Sequence, residues 1–252
     1  LPSRSQSTIK KLPSASLLSL AKIGEDLPIQ LGELKELSSL HIDARALDGK
    51  LNIVTGKKET GKSHLSKLLV LGLVDHGAIV VVLDLNGEYV NLGSSSNGRR
   101  NEYHNKVHIL APGVDFKVKL AQVDLRVMLH ILTHALYLPG TSAREFRRIW
   151  QFLHGRNALT LHELGEVIRD WKCNQNVRDA LFSRYYSLLN SGFFTDNPAE
   201  AVAFDDYFQK LSGGGALIVN LRDTSSVDRQ IVVEFVLGKL VELLTQWKIR
   251  AV

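Results

Sequence analysis

Apolar residues along this chain fall into two kinds of run. Ala78–Leu85 (AIVVVLDL) and Ala216–Leu221 (ALIVNL) are short, nearly unbroken and rich in Val, Ile and Leu. Runs of this kind predict strands covered on both faces, as in a parallel sheet. Elsewhere the apolar positions recur every three or four residues, which predicts helices over Gln122–Leu138, Ser142–His154, Leu161–Trp171 and Val177–Leu189. Thr160 with Glu163, and Ser142 with Glu145, have the spacing of a capping box, so helices are expected to begin there. Gln230–Thr245 carries Ile231, Val232, Phe235, Leu237, Leu240, Leu243 and Leu244 and reads as one more buried helix. Leu51–Thr55 (LNIVT) reads as a strand and Ser63–Leu73 as the helix after it, which with Ala78–Leu85 would complete a βαβ unit. Leu27–Leu31 and His41–Leu47 read as short strand or loop pieces.

Strands separated by helices place the chain in the α/β class. The division expected is a basic, Ser-rich linker or tail over residues 1–26, the end of a preceding segment over 27–48, and a main core over 49–252 with a helical insertion at about 122–211.

Composition narrows the picture only a little. With 44% hydrophobic and 23% charged residues the chain belongs among globular proteins. One cysteine, Cys173, cannot form an internal disulfide or a Cys-based zinc site, which fits a reducing compartment and leads us to expect a cytoplasmic protein. No apolar run approaches the roughly 18 to 20 residues that cross a bilayer, so no membrane partner is expected. The net charge of +5 is mild, but between Arg99 and Asn190 there are 14 basic side chains against 8 acidic ones. A basic middle segment is either a footprint for nucleic acid or a solvated helix face.

The chemistry is concentrated in Gly56-Lys57-Lys58-Glu59-Thr60-Gly61-Lys62-Ser63, which matches G-x-x-x-x-G-K-[ST], the P-loop. In such a loop, backbone N–H groups and the positive end of the following helix converge on phosphate oxygens, and glycines allow the close approach. Lys62 would bridge the β- and γ-phosphates. Ser63 would place its hydroxyl on Mg²⁺ carried in with the nucleotide, and His64 closes the segment. A Gly-bracketed surface turn is the plain alternative. Asp84 ends the strongest strand and opens Asp84-Leu85-Asn86-Gly87-Glu88-Tyr89. It reads as a Walker B aspartate that orients Mg²⁺, as a D-x-x-G switch, or as an ordinary strand-end Asp in a turn. The switch is disfavoured, since Asn105-Lys106-Val107-His108 lacks the Asp of a guanine motif. Glu88 is a candidate base toward the attacking water.

These motifs in order, GKKETGKS, then VVVLDLNGEY, a helical insertion, and GGGALIVNLRDTSSVDRQIVVEFVLGKLVELL, resemble the HerA branch of the HerA/FtsK superfamily. The resemblance runs from about Ile23 to Thr245. It implies a RecA-like P-loop core with a mostly parallel sheet, ATP and Mg²⁺ as cofactors, and an ATP hydrolase that translocates or unwinds double-stranded DNA as a hexameric ring. It also implies an arginine finger from a neighbouring subunit, for which Arg144, Arg147, Arg148 and Arg222 are candidates, and company with a nuclease or other effector in DNA repair or antiviral defence. Three departures stand out. Lys58 and Glu59 replace the usual Thr and Gly, Asn220 stands where Asp is usual, and the family's Walker B strand is expected beyond the last helix. Ile231-Val232-Val233-Glu234 is its sole imitation and reads as helix. The chain is thus expected to be a truncated core in which Asp84 is the secondary acidic residue of the site. Two other functions stay open: a protein-moving secretion motor of the related VirB4 type, and a scaffold subunit that binds nucleotide without hydrolysing it.

Overall fold

The computed structural model describes residues 26–33 and 39–247, so the expected tail lies outside it except for Asp26. The described chain divides after Ala78 into two units, residues 26–78 and 79–247.

In the first unit, strands β1 (Pro28–Glu33) and β2 (Ser39–Asp43) pair antiparallel, Pro28 opposite Asp43, with an irregularity between Gln30 and Gly32. The Asp43 carboxylate accepts from the Arg45 N–H at 2.9 Å and starts a short 3-10 turn at Ala44–Ala46. Helix α1 (Lys62–Asp75) lies against β1 through Gly72. A Cβ there would sit 2.3 Å from Cγ2 of the buried Ile29, so only glycine allows the contact.

The expected strand Leu51–Thr55 is not one. It pairs with no strand among the described residues, and Leu51 and Ile53 are 89% and 73% exposed. The Asn52 amide donates to the carbonyls of Leu47 (2.9 Å) and Lys50 (3.3 Å). Local bonds of this type compete with a ladder, and an apolar run without a partner strand leaves its backbone groups to water. The βαβ unit is therefore not closed from this side.

The second unit is built on a parallel sheet of β3 (Ile79–Asp84), β4 (Val107–Leu110) and β5 (Gly215–Asn220) in the order β3-β5-β4. Every β5 residue except Asn220 is buried, as its unbroken apolar sequence requires. Strand β4 was not apparent from sequence because it is four residues long and interrupted by His108. That ring is tucked edge-on against Tyr207, and burial, then the charge of Lys210, lowers its pKa below the ordinary histidine value, which suits a strand position.

Around the sheet lie α2 (Leu125–His130), a π turn (Ile131–Ala135), α3 (Gly140–His154), α4 (Leu161–Asp170), α5 (Gln175–Asn190), α6 (Phe204–Lys210) and α7 (Ser226–Trp247). The helix expected over Gln122–Leu138 is thus split. At the start of α4 the Thr160 hydroxyl accepts from the Glu163 N–H at 3.1 Å, as its spacing predicts. The other expected cap is wrong. Helix α3 begins at Gly140 behind Pro139, whose fixed φ of −59° already sets up the first turn, and Ser142 is buried inside it. Glu145 instead pairs with Arg148 at 2.8 Å and accepts from the Trp171 indole at 3.1 Å. The core centres on Phe116, Phe193, Phe204 and Phe235, whose rings meet at 5.1 to 6.2 Å. Ile231–Glu234 lies within α7 as expected, and no described helix is long and apolar enough to cross a membrane.

Candidate functional site

The phosphate-loop sequence forms a tight turn that opens directly into α1. Glu59 (φ 66°) and Gly61 (φ 83°) both take the left-handed conformation, and Gly61 is the N-cap of the helix with no side-chain hydrogen bond to cap it. The first backbone N–H groups of α1 are therefore left without a capping side chain, at the end that carries a partial positive charge. A Cβ on Gly56 would lie 2.7 Å from the Thr60 hydroxyl oxygen, so the loop closes only over glycine. Thr60 Oγ1 donates to the Lys57 carbonyl at 2.8 Å, and Lys62 Nζ donates to the same oxygen. The Lys62 ammonium thus folds back across the loop and holds a backbone carbonyl where a phosphate oxygen would be a stronger partner. Lys62 and Ser63 are half-buried; Lys57, Lys58, Glu59, Thr60 and His64 are exposed.

The second group of expected residues sits at the carboxyl end of the sheet in the 79–247 unit. Asp84 is 3% exposed, and its carboxylate is shared among three N–H donors: Oδ1 accepts from Asn86 (3.3 Å) and Glu88 (3.0 Å), Oδ2 from Tyr89 (2.8 Å). These bonds shape the turn that carries Glu88, which is exposed. Asn220 is the β5 partner of Asp84, and its side-chain oxygen accepts from the Arg222 N–H at 3.2 Å. A Cβ on Gly87 (φ 71°) would lie 2.9 Å from Arg222 Cδ, so the arginine lies across that turn. Asp84, Gly87, Asn220 and Arg222 are thus neighbours, a grouping not visible in a sequence that separates the first two from the last two by more than 130 positions. Arg144, Arg147 and Arg148 lie elsewhere, exposed on α3, with Arg148 held by Glu145. Replacing Asp84 by Asn should destabilise the chain by about 1 to 3 kcal/mol, because the new amide either opposes the Tyr89 N–H or abandons the other two donors. Hydrogen exchange at Glu88 and Tyr89 should quicken; unchanged protection there would show that the turn does not depend on the charge.

The family model described as "Helicase HerA, central domain" matches residues 29–240, most of the chain. The chain belongs to this HerA family. It is thereby placed among the P-loop ATPases of the HerA/FtsK type. The structure of VirB4 of Thermoanaerobacter pseudethanolicus is similar to this HerA-family chain, with a TM-score of 0.53 and 15% sequence identity over 89% of this chain and 65% of VirB4. At that identity the likeness is one of fold, and it agrees with a RecA-like α/β core. The chain spans 65% of the length of the solved VirB4 chain. No curated protein matches it.

Proposed function

We propose that this chain binds ATP with Mg²⁺ and hydrolyses it to move double-stranded DNA through a ring of identical subunits, a hexamer in the form its family resemblance suggests. The observation that carries this reading is the Gly56–Ser63 loop, glycine-capped into α1, in a chain of the HerA family. In this reading the free N–H groups at the start of α1 and the Lys62 ammonium neutralise the triphosphate, with Lys62 reaching the β- and γ-phosphates. The Ser63 hydroxyl and the Asp84 carboxylate serve the magnesium, and Glu88 orients the attacking water. Arg222, beside the Asp84 turn of its own chain, would act in cis, while Arg144, Arg147 and Arg148, exposed on α3, are the candidates for a finger offered to a neighbouring subunit. The basic excess between Arg99 and Asn190 supplies phosphate contacts that carry no sequence information. A nuclease or other effector acting in repair or defence would take the moved DNA.

The test is ATP turnover with and without double-stranded DNA at several salt concentrations. Turnover is expected to rise with DNA, and DNA affinity to fall at least about tenfold between 50 and 200 mM salt, as release of several counterions requires. Affinity that ignores salt would remove DNA from the reading. Turnover indifferent to DNA would favour a protein-moving motor, and nucleotide binding without turnover a scaffold.

A further inference from the structure

Three side chains outside the nucleotide residues converge on one surface. His130 ends α2, His134 stands in the π turn that follows, and Glu234 comes from α7, a hundred residues later in the chain. One ligand atom from each lies within 4.8 Å of the other two. The two imidazoles meet edge-on with centroids 4.9 Å apart. His134 Nδ1 is 3.7 Å from Glu234 Oε1, too far for a hydrogen bond. The three groups are gathered, but they do not satisfy one another.

The backbone is built around this gathering. A π turn begins directly after His130 and includes His134, closed by the Leu136 N–H to the Ile131 carbonyl at 3.0 Å, and residues four apart here share one face of the helix. Its inner side, Ile131, Leu132 and Ala135, is buried, while both histidines face out. Helix α7 is locked alongside at Gly238, where a Cβ would lie 2.6 Å from Val127 Cγ2. Glu234 is thus presented from a rigid neighbour, one turn from that close approach, rather than from a loop.

Two imidazoles and a carboxylate are a donor set for zinc and similar transition ions, whereas Mg²⁺ and Ca²⁺ take oxygen ligands. Bond lengths of about 2.0 to 2.2 Å require the three ligand atoms to close by roughly 1 Å, which rotation of half-exposed side chains supplies. Clefts of about 410 Å³ and 300 Å³ open on either side, the first beside His130 and Glu234, the second beside His134 and Glu234. Asp124, Glu242 and Arg126 border the first and Arg229 the second. Arg126 is drawn to Asp124 at 3.3 Å, and Arg229 donates to the carbonyl of Leu221, so neither cation neutralises Glu234. We propose that His130, His134 and Glu234 bind one divalent transition-metal ion, zinc by preference, which pins the π turn to α7 and keeps a fourth coordination position open to solvent.

The full chain, stripped with chelator, would be titrated with Co²⁺ and Zn²⁺. One Co²⁺ per chain with the visible absorption of a four- or five-coordinate site is expected, displaced by one equivalent of Zn²⁺. His134→Asn and Glu234→Gln should each weaken Zn²⁺ binding at least tenfold, and Lys62→Ala should leave it unchanged, which separates this site from nucleotide chemistry. Zinc at a hundredfold excess over its Kd should raise the thermal midpoint of the unaltered chain by about 5 °C or more, and not that of the two variants. The three side chains sit at the surface, so metal-free variants should melt where the metal-free parent does. Less than one equivalent bound in the parent, or binding in the variants equal to the parent's, would overturn the proposal and leave a His–Glu contact.

Discussion

Replacing Lys62 by Ala is expected to lower ATP turnover by about a hundredfold or more while the thermal midpoint moves by no more than a few degrees. The ammonium is the one side-chain cation that the loop places at its own centre, and without nucleotide its partner is the Lys57 carbonyl. Its removal from the free protein costs one exposed hydrogen bond, worth about 1 kcal/mol. Its removal from the bound state withdraws a positive charge from phosphate oxygens whose negative charge shifts during transfer, and losing one such donor typically costs two to three orders of magnitude in rate. Binding of a fluorescent ATP analogue should weaken in parallel. Turnover within threefold of the parent would mean that Lys62 does not face the phosphates, and that the G-x-x-x-x-G-K-[ST] match is a surface turn.

The largest effect on stability is expected from Phe235→Ala. Phe235 is 1% exposed and packs edge-on against Phe193 at 5.2 Å and Phe204 at 5.8 Å, with Phe116 at 6.2 Å. Truncation removes the transfer energy of the ring and leaves a void that three other aromatic rings cannot fill without leaving their rotamers. Substitutions of this kind cost about 3 to 5 kcal/mol, which for a chain of this size lowers the thermal midpoint by roughly 10 °C. Calorimetry of the parent and variant checks it. A fall of only a degree or two would show that the neighbouring rings collapse into the space.

These residues differ in how openly the sequence announced them. The phosphate loop was legible because its chemistry is local: eight consecutive residues set the turn, the cap and the cation. Strands β3 and β5 were legible because both faces are covered, which forces an unbroken apolar run. Leu51–Thr55 has a similar apolar look, yet a strand needs a partner, and the partner is not written in the strand's own sequence. Ser142 and Glu145 had the spacing of a cap, but Pro139 had already started the helix. His130 and His134, four apart on a predicted helix, carried a visible signal of a shared face. The π turn that includes His134 and the Glu234 opposite them are properties of tertiary packing, so the cluster could not be read before the fold was known.

The order β3-β5-β4 also constrains how the chain reaches its native state. The two outer strands precede the central one, and Asp84 waits for Asn220, on the far side of the helical insertion. At ordinary rates of synthesis, some 5 to 20 residues per second, β3 leaves the ribosome roughly 7 to 27 seconds before the strand that covers it. Through that interval Ile79–Leu83, with no charge or proline to guard it, presents open edges in a nascent chain, and pairing must then close a long loop. Slow assembly and a need for dilution or a holding chaperone during refolding are the consequences of placing the last strand in the middle.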